Sequence, residues 1–91
     1  MTPYLTEAKP QCWRALAVFA DCSERLLYLG RSSQQVRNGY ANAFFEVLDE
    51  EEREQVQSIQ LQRWNGAPDA GRWLLQTTLT IPSTARIAKS A

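Results

Sequence analysis

A neutral chain of 91 residues with 44% hydrophobic and 22% charged side chains predicts a single compact domain, because a chain of this length builds one hydrophobic core. Its ten basic and ten acidic residues argue against a protein that binds nucleic acid through an overall positive charge. It has no histidine, which excludes a Cys–His nucleophile pair and removes the commonest metal ligand.

The two ends of the chain are predicted to lie outside the core. Residues 1–11 contain two prolines and little periodicity, so we expect an irregular N-terminal arm, and residues 83–91 after Pro82 predict a flexible C-terminal tail. A single α+β domain is expected over residues 12–82. The first residues lack the basic and apolar regions of a secretory signal, and no apolar run is long enough to span a bilayer, so we expect a cytoplasmic protein.

The first two strands are predicted to form a hairpin. Residues 13–20 are apolar on both faces of a strand apart from Arg14, which is typical of a central strand. Residues 21–24 form a polar turn, and residues 26–29 supply a second apolar run that ends at Gly30.

Two cysteines, Cys12 and Cys22, bracket the first strand. Across an extended chain their Cα atoms lie roughly 25–30 Å apart, whereas a disulfide needs a separation of about 7 Å or less. We therefore expect two half-buried free thiols and no intramolecular disulfide.

A helix is predicted to begin at Ser32, which stands three residues before Gln35 in a capping-box arrangement. Gly39 lies inside this helix at a cost of about 1 kcal/mol relative to alanine, and we expect it to allow close approach to the sheet. Phe45 falls outside the apolar stripe and is interpreted either as the edge of the core or as a partner contact. The stripe expected to face the core consists of Val36, Tyr40, Ala43, Phe44, Val47 and Leu48.

An acidic segment follows the helix. Asp49 is predicted to cap a short second helix, whose first turn places carboxylates where the helix dipole favours negative charge. Residues 46–54 hold six carboxylates against Arg53, a local net charge of minus five in a neutral chain. A solvated face is the favoured interpretation, a contact for a basic partner is the second, and catalysis is the least favoured, because carboxylates around a helix point into water and not into a cleft.

Two further strands are predicted over residues 58–64 and 72–81, where hydrophobic residues alternate with polar ones. By this alternation Trp64 lies opposite Ile59 and Leu61, and Trp73 shares a face with the later hydrophobic residues of its strand. The predicted order is ββαββ, an α+β fold in which one helical segment covers one face of a four-stranded antiparallel sheet. The residues expected on the Trp73 face are Leu75, Thr77, Leu79 and Ile81.

Residues 63–73 are the most distinctive segment, because two Arg-Trp pairs flank a loop rich in turn residues. The segment has the outline of a phosphate-binding loop, but Arg72 replaces the lysine, Trp73 replaces the Ser/Thr, and a strand follows in place of a helix. A β-hairpin is favoured, in which Asn65-Gly66 and Pro68-Asp69 reverse the chain and Asp69 accepts hydrogen bonds from loop amides.

Two functions remain open. The first is a non-enzymatic interaction module that recognises a protein partner, or another copy of itself as a homodimer, through a sheet edge or the Trp64–Trp73 hairpin. The alternative is a nucleic-acid-binding domain, in which aromatic rings stack on bases and arginines neutralise phosphates; the zero net charge favours the first function. No catalytic residue, cofactor or metal is expected. The candidate partner-binding residues are Arg63, Trp64, Asp69, Arg72, Arg31 and Arg37.

Overall fold

The computed structural model describes residues 11–82, which form one four-stranded antiparallel sheet and two helices. The predicted α+β fold is confirmed, with a short second helix between the long helix and the third strand. Residues 1–10 of the arm expected at residues 1–11, and the whole tail expected at residues 83–91, lie outside the described residues. The elements are β1 Trp13–Phe19, β2 Glu24–Gly30, α1 Ser33–Val47, α2 Glu50–Gln55, β3 Val56–Ala67 and β4 Ala70–Leu79.

Strand β1 occupies the centre of the sheet, as its apolar faces predict. The strand order is β2-β1-β3-β4, so β1 pairs with both β2 and β3, and every pairing is antiparallel. Ala15 and Ala17 of β1 are fully buried under the helical layer together with Ile59 and Leu61 of β3. Small residues at the centre of the sheet leave room for the larger side chains of the helix.

Three strands, β2, β3 and β4, each contain one extra residue that interrupts the pairing with the neighbouring strand. In β4 this residue is Gln76, because Leu61 pairs with Thr77 whereas Gln62 pairs with Leu75. A bulge shifts the alternation of side chains by one position. The prediction that Trp73 and Leu75 share a face with Leu79 is therefore wrong: Leu79 is buried on the helical side, and the first two face the opposite side. The other two extra residues, by the same register, are Leu27 in β2 and Gln57 in β3.

Helix α1 begins where the sequence predicts. The Ser32 hydroxyl accepts a hydrogen bond from the Gln35 amide at 3.1 Å, and the Gln35 side chain accepts one from the Arg31 amide at 2.6 Å. The first bond satisfies an amide that the first turn leaves without a helical partner, and the second fixes the residue that precedes the N-cap. From this start the helix directs Val36 and Phe44 into the core, while Val47, expected in the core, is 40% exposed.

Close contact between α1 and the sheet occurs at Gly39. A Cβ atom placed on Gly39 would lie only 2.5 Å from Cζ of Tyr28, so the tyrosine ring occupies the space of the missing side chain. The predicted close approach is confirmed. Phe45 lies at the edge of the core, where its ring meets that of Phe44 edge to face at 5.1 Å and the Arg53 guanidinium lies 5.3 Å from its centroid.

Helix α2 carries the acidic segment, and its start is a capping box. Asp49 accepts from the Glu52 amide at 2.8 Å, and Glu52 accepts from the Asp49 amide at 3.0 Å. Glu52 also accepts a hydrogen bond from Arg25 of β2 at 2.6 Å, which ties the short helix to the sheet. These hydrogen bonds hold the pKa of Glu52 below its ordinary value. The bond from the Asp49 backbone has the larger effect and the bond from Arg25 the smaller one.

Replacing Glu52 with glutamine is expected to weaken the pH dependence of folding. The folded-state pKa of Glu52 is lowered, so its carboxylate stabilises the fold above the unfolded-state pKa of about 4.3, and this contribution is lost as the pH falls through the lower folded-state value. Urea unfolding at pH 7 and pH 3 measures the effect, with Glu54→Gln on the same helix as the control. Equal losses of stability at both pH values in Glu52→Gln would contradict this account.

Candidate functional site

The helices cover one face of the sheet and leave the other face open. Ala15, Ala17 and Leu61 belong to the core under the helices, whereas buried Leu16, their neighbour in β1, lies outside that core cluster. Alternation along β1 and the cross-strand pairs identify the residues that share the side of Leu16. This surface, called the open face below, comprises Arg14, Leu16 and Val18 of β1, Glu24, Leu26 and Leu29 of β2, Gln60, Gln62 and Trp64 of β3, and Trp73, Leu75 and Thr78 of β4.

Hydrophobic side chains on the open face are partly in water. Leu26 is 42% exposed, Leu29 is 38% exposed and Leu75 is 55% exposed, whereas Leu16 between them is buried. When one face of an antiparallel sheet packs on the core and the other faces water, the face in water is normally polar. Leucines on three strands of this face, with Leu16 on β1, Leu26 and Leu29 on β2 and Leu75 on β4, therefore depart from that pattern.

Polar groups on the open face are bonded to one another. Arg14 donates to the Gln62 side chain at 2.7 Å, and Gln62 donates to the Gln60 side chain at 2.8 Å. The Arg14 guanidinium also lies 4.2 Å from the centre of the Trp73 ring, a cation–π contact. Partial burial lowers the pKa of Arg14, and nearby Glu24 acts in the opposite direction. The guanidinium remains charged and has a fixed position beside the leucines.

The Trp64–Trp73 hairpin extends one end of the open face. The two tryptophans are a cross-strand pair whose rings meet at 71° with centroids 5.4 Å apart, and both are half-buried. The Trp64 indole donates to the Ala67 carbonyl at 3.0 Å. A shallow cavity of about 480 Å³ lies at this pair, and its lining includes Cys12 and Pro68.

The turn of this hairpin is shorter than the sequence suggested. Pro68 and Asp69 alone connect β3 to β4, because Ala67 pairs with Ala70. Asn65 and Gly66 lie within β3, where Gly66 has a φ of +120° that a side chain would oppose. The hairpin itself is as predicted, but only the second of the two expected turn sites reverses the chain.

The six residues singled out from the sequence do not lie on one surface. Trp64 lies on the open face, whereas the register places Arg63 and Arg72 on the opposite side of the hairpin, where Arg63 stacks 5.5 Å from the Trp13 ring. Asp69 is exposed at the hairpin turn. The two remaining residues are exposed at the start of α1 and within it: Arg31 and Arg37.

The leucines of the open face were missed by the sequence analysis. The signal was present in β1, whose residues are apolar on both sides although the predicted helical layer covers only one. The same pattern is also typical of a strand at the centre of a sheet. Leu26, Leu29, Leu75 and Trp73 share one face of the sheet, on its two edge strands, only once the bulges set the register.

A second cavity, of about 440 Å³, lies between the β1–β2 turn and α2 and contains charged groups. Asp21 accepts hydrogen bonds from the hydroxyl and amide of Ser23, which lower the pKa of Asp21, and Glu52 is bound to Arg25. A general acid at neutral pH needs a raised carboxyl pKa. Both of these carboxyl groups have lowered pKa values, the opposite direction to the one a general acid at neutral pH needs.

Within residues 11–82, no group of three or more potential ligand side chains is placed to hold a metal ion. Cys12 and Cys22 are both free thiols, as predicted, although Cys22 is exposed and not half-buried. In the same part of the chain, no helix has the length and hydrophobicity needed to cross a membrane. Comparison with protein-family models, with curated proteins and with solved structures finds no match to the chain.

Proposed function

We propose that this domain is a non-enzymatic interaction module that binds a protein through the open face of its sheet and the adjoining Trp64–Trp73 hairpin. The observation that carries the proposal is the exposure of Leu26, Leu29 and Leu75 on a face that neither helix covers. Burying these side chains against another protein would recover the hydrophobic stabilisation that the isolated domain leaves unused. The tryptophans, with large rings at low conformational cost, are suited to anchor such a contact.

The positions of the arginines favour a protein over a nucleic acid as the partner. Single-strand binding needs exposed rings and several cations along one groove. Among the described residues, Arg14 is the one arginine on the open face, and it is engaged with Trp73 and Gln62. Arg63 and Arg72 are separated from these rings by the thickness of the sheet.

The proposal includes a cytoplasmic location and binding that needs neither a cofactor nor a metal. The free thiols of Cys12 and Cys22 are consistent with a reducing compartment. The exposed carboxylates of α2 would contribute only to the selection of the partner, through long-range electrostatic interactions.

Site-specific photocross-linking in cells of the organism that encodes the chain tests this function. A photoreactive amino acid at Leu75 or Leu29 is expected to give a discrete protein adduct. The same amino acid at Gln34, exposed on α1, is the control and is expected to give none. Absence of an adduct at the leucine positions, or equal adducts at all three, would contradict the proposal.

A fluorescence titration distinguishes protein binding from nucleic-acid binding. Tryptophan emission is expected to stay unchanged when a mixed-sequence single-stranded oligonucleotide is added at low and at moderate salt. Quenching that weakens as salt rises would show phosphate contacts and ring stacking. That result would replace the protein-binding proposal with nucleic-acid binding.

A further inference from the structure

We propose that the outer edge of β4 pairs with the same edge of a second copy of this chain, antiparallel and about a two-fold axis at Trp73. The pairing joins the two four-stranded sheets into one continuous sheet. This dimer adds to the proposed function and does not depend on it, because Leu26 and Leu29 of the open face lie on β2, at the opposite edge of the sheet.

Strand β4 lies at the edge of the sheet but has apolar residues on both faces. Within residues 11–82, no strand pairs with its outer side. Leu74 is 36% exposed on the helical side, and the next residue, Leu75, is 55% exposed on the open face. An exposed apolar edge is a template for a further strand, and proteins usually block such edges with proline, lysine or a bulge. Residues 70–75 contain neither proline nor lysine, and Arg72 is their one charged residue.

The backbone groups of three residues point outward from this edge. The Trp64 amide donates to the Cys12 carbonyl at 2.7 Å, so the backbone groups of Trp64 face the β1 side and not β4. Trp64 and Trp73 are therefore a non-hydrogen-bonded pair of the β3–β4 ladder, and the N–H and C=O of Trp73 face the free edge. By alternation the same holds for Gly71 and Leu75. Each of the three can donate and accept one hydrogen bond across the edge.

The hairpin turn and the bulge together determine the register of a symmetric pairing. Residues 70–75 pair with β3 without interruption, between the turn and the extra residue Gln76. A two-fold axis at Trp73, the middle of the three outward-facing residues, uses this segment on both copies. An axis at Gly71 runs into the turn, and an axis at Leu75 brings the bulge into the pairing. The axis at Trp73 makes the same segment serve both subunits, as a two-fold interface requires.

This register covers the exposed leucine of the open face. With the axis at Trp73, Leu75 lies opposite Gly71 of the second copy. A Cβ atom placed on Gly71 would lie 2.8 Å from the Trp64 indole, so that ring lies directly beside the glycine. Cβ positions of directly opposite residues are about 4.5–5.5 Å apart, so Leu75 of each copy contacts the Trp64 ring of the other. The Trp73 ring keeps its contact with Arg14 of its own chain.

On the helical side, the register sets Leu74 opposite Arg72 of the second copy. The aliphatic part of an arginine side chain can cover an apolar neighbour while the guanidinium stays in water. The two Arg72 residues become diagonal neighbours, roughly 7–8 Å apart, and repel each other through solvent. Salt screens such repulsion, so we expect the dimer to become tighter as the salt concentration rises.

The other edge strand, β2, is less suited to this pairing. Its extra residue, Leu27, leaves three paired residues on each side, too few for a regular ladder. One end of β2 carries Glu24 and Arg25, and charged side chains on an edge oppose strand addition. Arg25 is also bound to Glu52 of α2. The uninterrupted segment of β4 is therefore the edge that can accept a second copy.

The short length of the paired segment predicts a reversible dimer. Six residues at about 3.3 Å each give an edge about 20 Å long. A contact along one such edge is smaller than the roughly 800 Å² per partner of a standard protein interface. We therefore expect dimerisation that depends on protein concentration.

Sedimentation velocity of the full chain over a range of concentrations tests the dimer. A species of twice the 10.4 kDa chain mass is expected to appear as concentration rises. Leu75→Lys is expected to weaken dimerisation about tenfold or more, because it removes the contact with Trp64 and places a lysine at the edge. Val47→Lys is the matched control, because Val47 is 40% exposed on α1, and it is expected to leave dimerisation unchanged. Circular dichroism confirms that each variant is folded.

A mixed disulfide identifies the register. Arg72 and Leu74 of opposite copies form a non-hydrogen-bonded pair with Cα atoms about 4.5 Å apart, a separation that a disulfide can bridge. In a chain whose Cys12 and Cys22 are replaced by serine, Arg72→Cys mixed with Leu74→Cys is expected to give a covalent dimer on oxidation. Leu74→Cys mixed with Gln34→Cys, at an exposed position of α1, is the control and is expected to give none.

Four results would overturn the edge dimer. They are a wild-type chain that stays monomeric at all concentrations, a dimer insensitive to Leu75→Lys, a dimer that dissociates as salt rises, and a cysteine mixture that forms no more disulfide than its control. A monomer that cross-links to a different protein at Leu29 would overturn the dimer and leave the interaction module in place. An edge dimer without any adduct at Leu29 would support the dimer and contradict the open face as a partner surface.

Discussion

Replacing Phe44 with alanine is expected to lower the free energy of unfolding by about 3–5 kcal/mol, the range for removing a buried aromatic ring from a core. Phe44 is 2% exposed and lies between the helical layer and the sheet, near Ile59 and Leu61 in the same core cluster. The loss has two parts: the transfer free energy of the ring and the cavity that the rigid sheet cannot close. Against a total stability of about 5–10 kcal/mol for a small domain, this loss removes about a third of the stability or more.

Urea unfolding followed by circular dichroism measures the effect. Phe45→Ala is the matched control, because the neighbouring ring lies at the edge of the core under Arg53 and is only half-buried. We expect its loss to be clearly smaller. Equal losses at the two positions would mean that Phe44 does not occupy the centre of the core.

Replacing Gly39 with leucine is expected to lower the free energy of unfolding by about 1–3 kcal/mol, the usual cost of overpacking. A Cβ atom at Gly39 would lie 2.5 Å from the Tyr28 ring, so the ring must move away from α1. Helix propensity alone predicts the opposite sign, since leucine is favoured over glycine in a helix by about 0.8 kcal/mol. The sign of the change therefore reports the contact with the sheet.

A double-mutant cycle with Tyr28→Ala isolates this contact. Once the ring is removed, Gly39→Leu is expected to stabilise the domain, because only the propensity gain and the filling of the vacated space remain. Asn42→Leu at an exposed position of the same helix is the control, with an expected change of about 0.5 kcal/mol or less. Destabilisation by Gly39→Leu on both backgrounds would exclude the Tyr28 ring as the cause.

Local features of the fold could be predicted from the sequence because a few neighbouring residues determine them. The caps at Ser32 and Asp49 rest on side chains within three positions, and both helices begin there. The central place of β1 followed from its two apolar faces, and the turn at Pro68-Asp69 from residues with suitable backbone preferences. Strand order β2-β1-β3-β4 did not follow, since several orders satisfy the same pattern of strands.

The candidate site could be predicted only in part, because it depends on cross-strand register. One extra residue at Gln76 moves Trp73 and Leu75 to the side away from the helices, and strict alternation puts them on the wrong face. No extra residue of β3 falls between Ile59 and Trp64, so alternation placed Trp64 correctly, opposite Ile59 and Leu61. Arg14 and Gln62 are 48 positions apart, so their hydrogen bond is visible only in three dimensions.

The strand order also has a kinetic consequence. β1 with β2 and β3 with β4 are hairpins that form between neighbours in the chain, whereas β1 and β3 pair residues 37 to 50 positions apart, from Phe19–Val56 to Trp13–Arg63. Contacts of long sequence separation slow folding, because the loop entropy is lost before the contact gains energy. The joining of β1 to β3 should therefore form the rate-limiting barrier. Until it forms, the nascent chain holds two separate hairpins, each with exposed edges, on either side of α1.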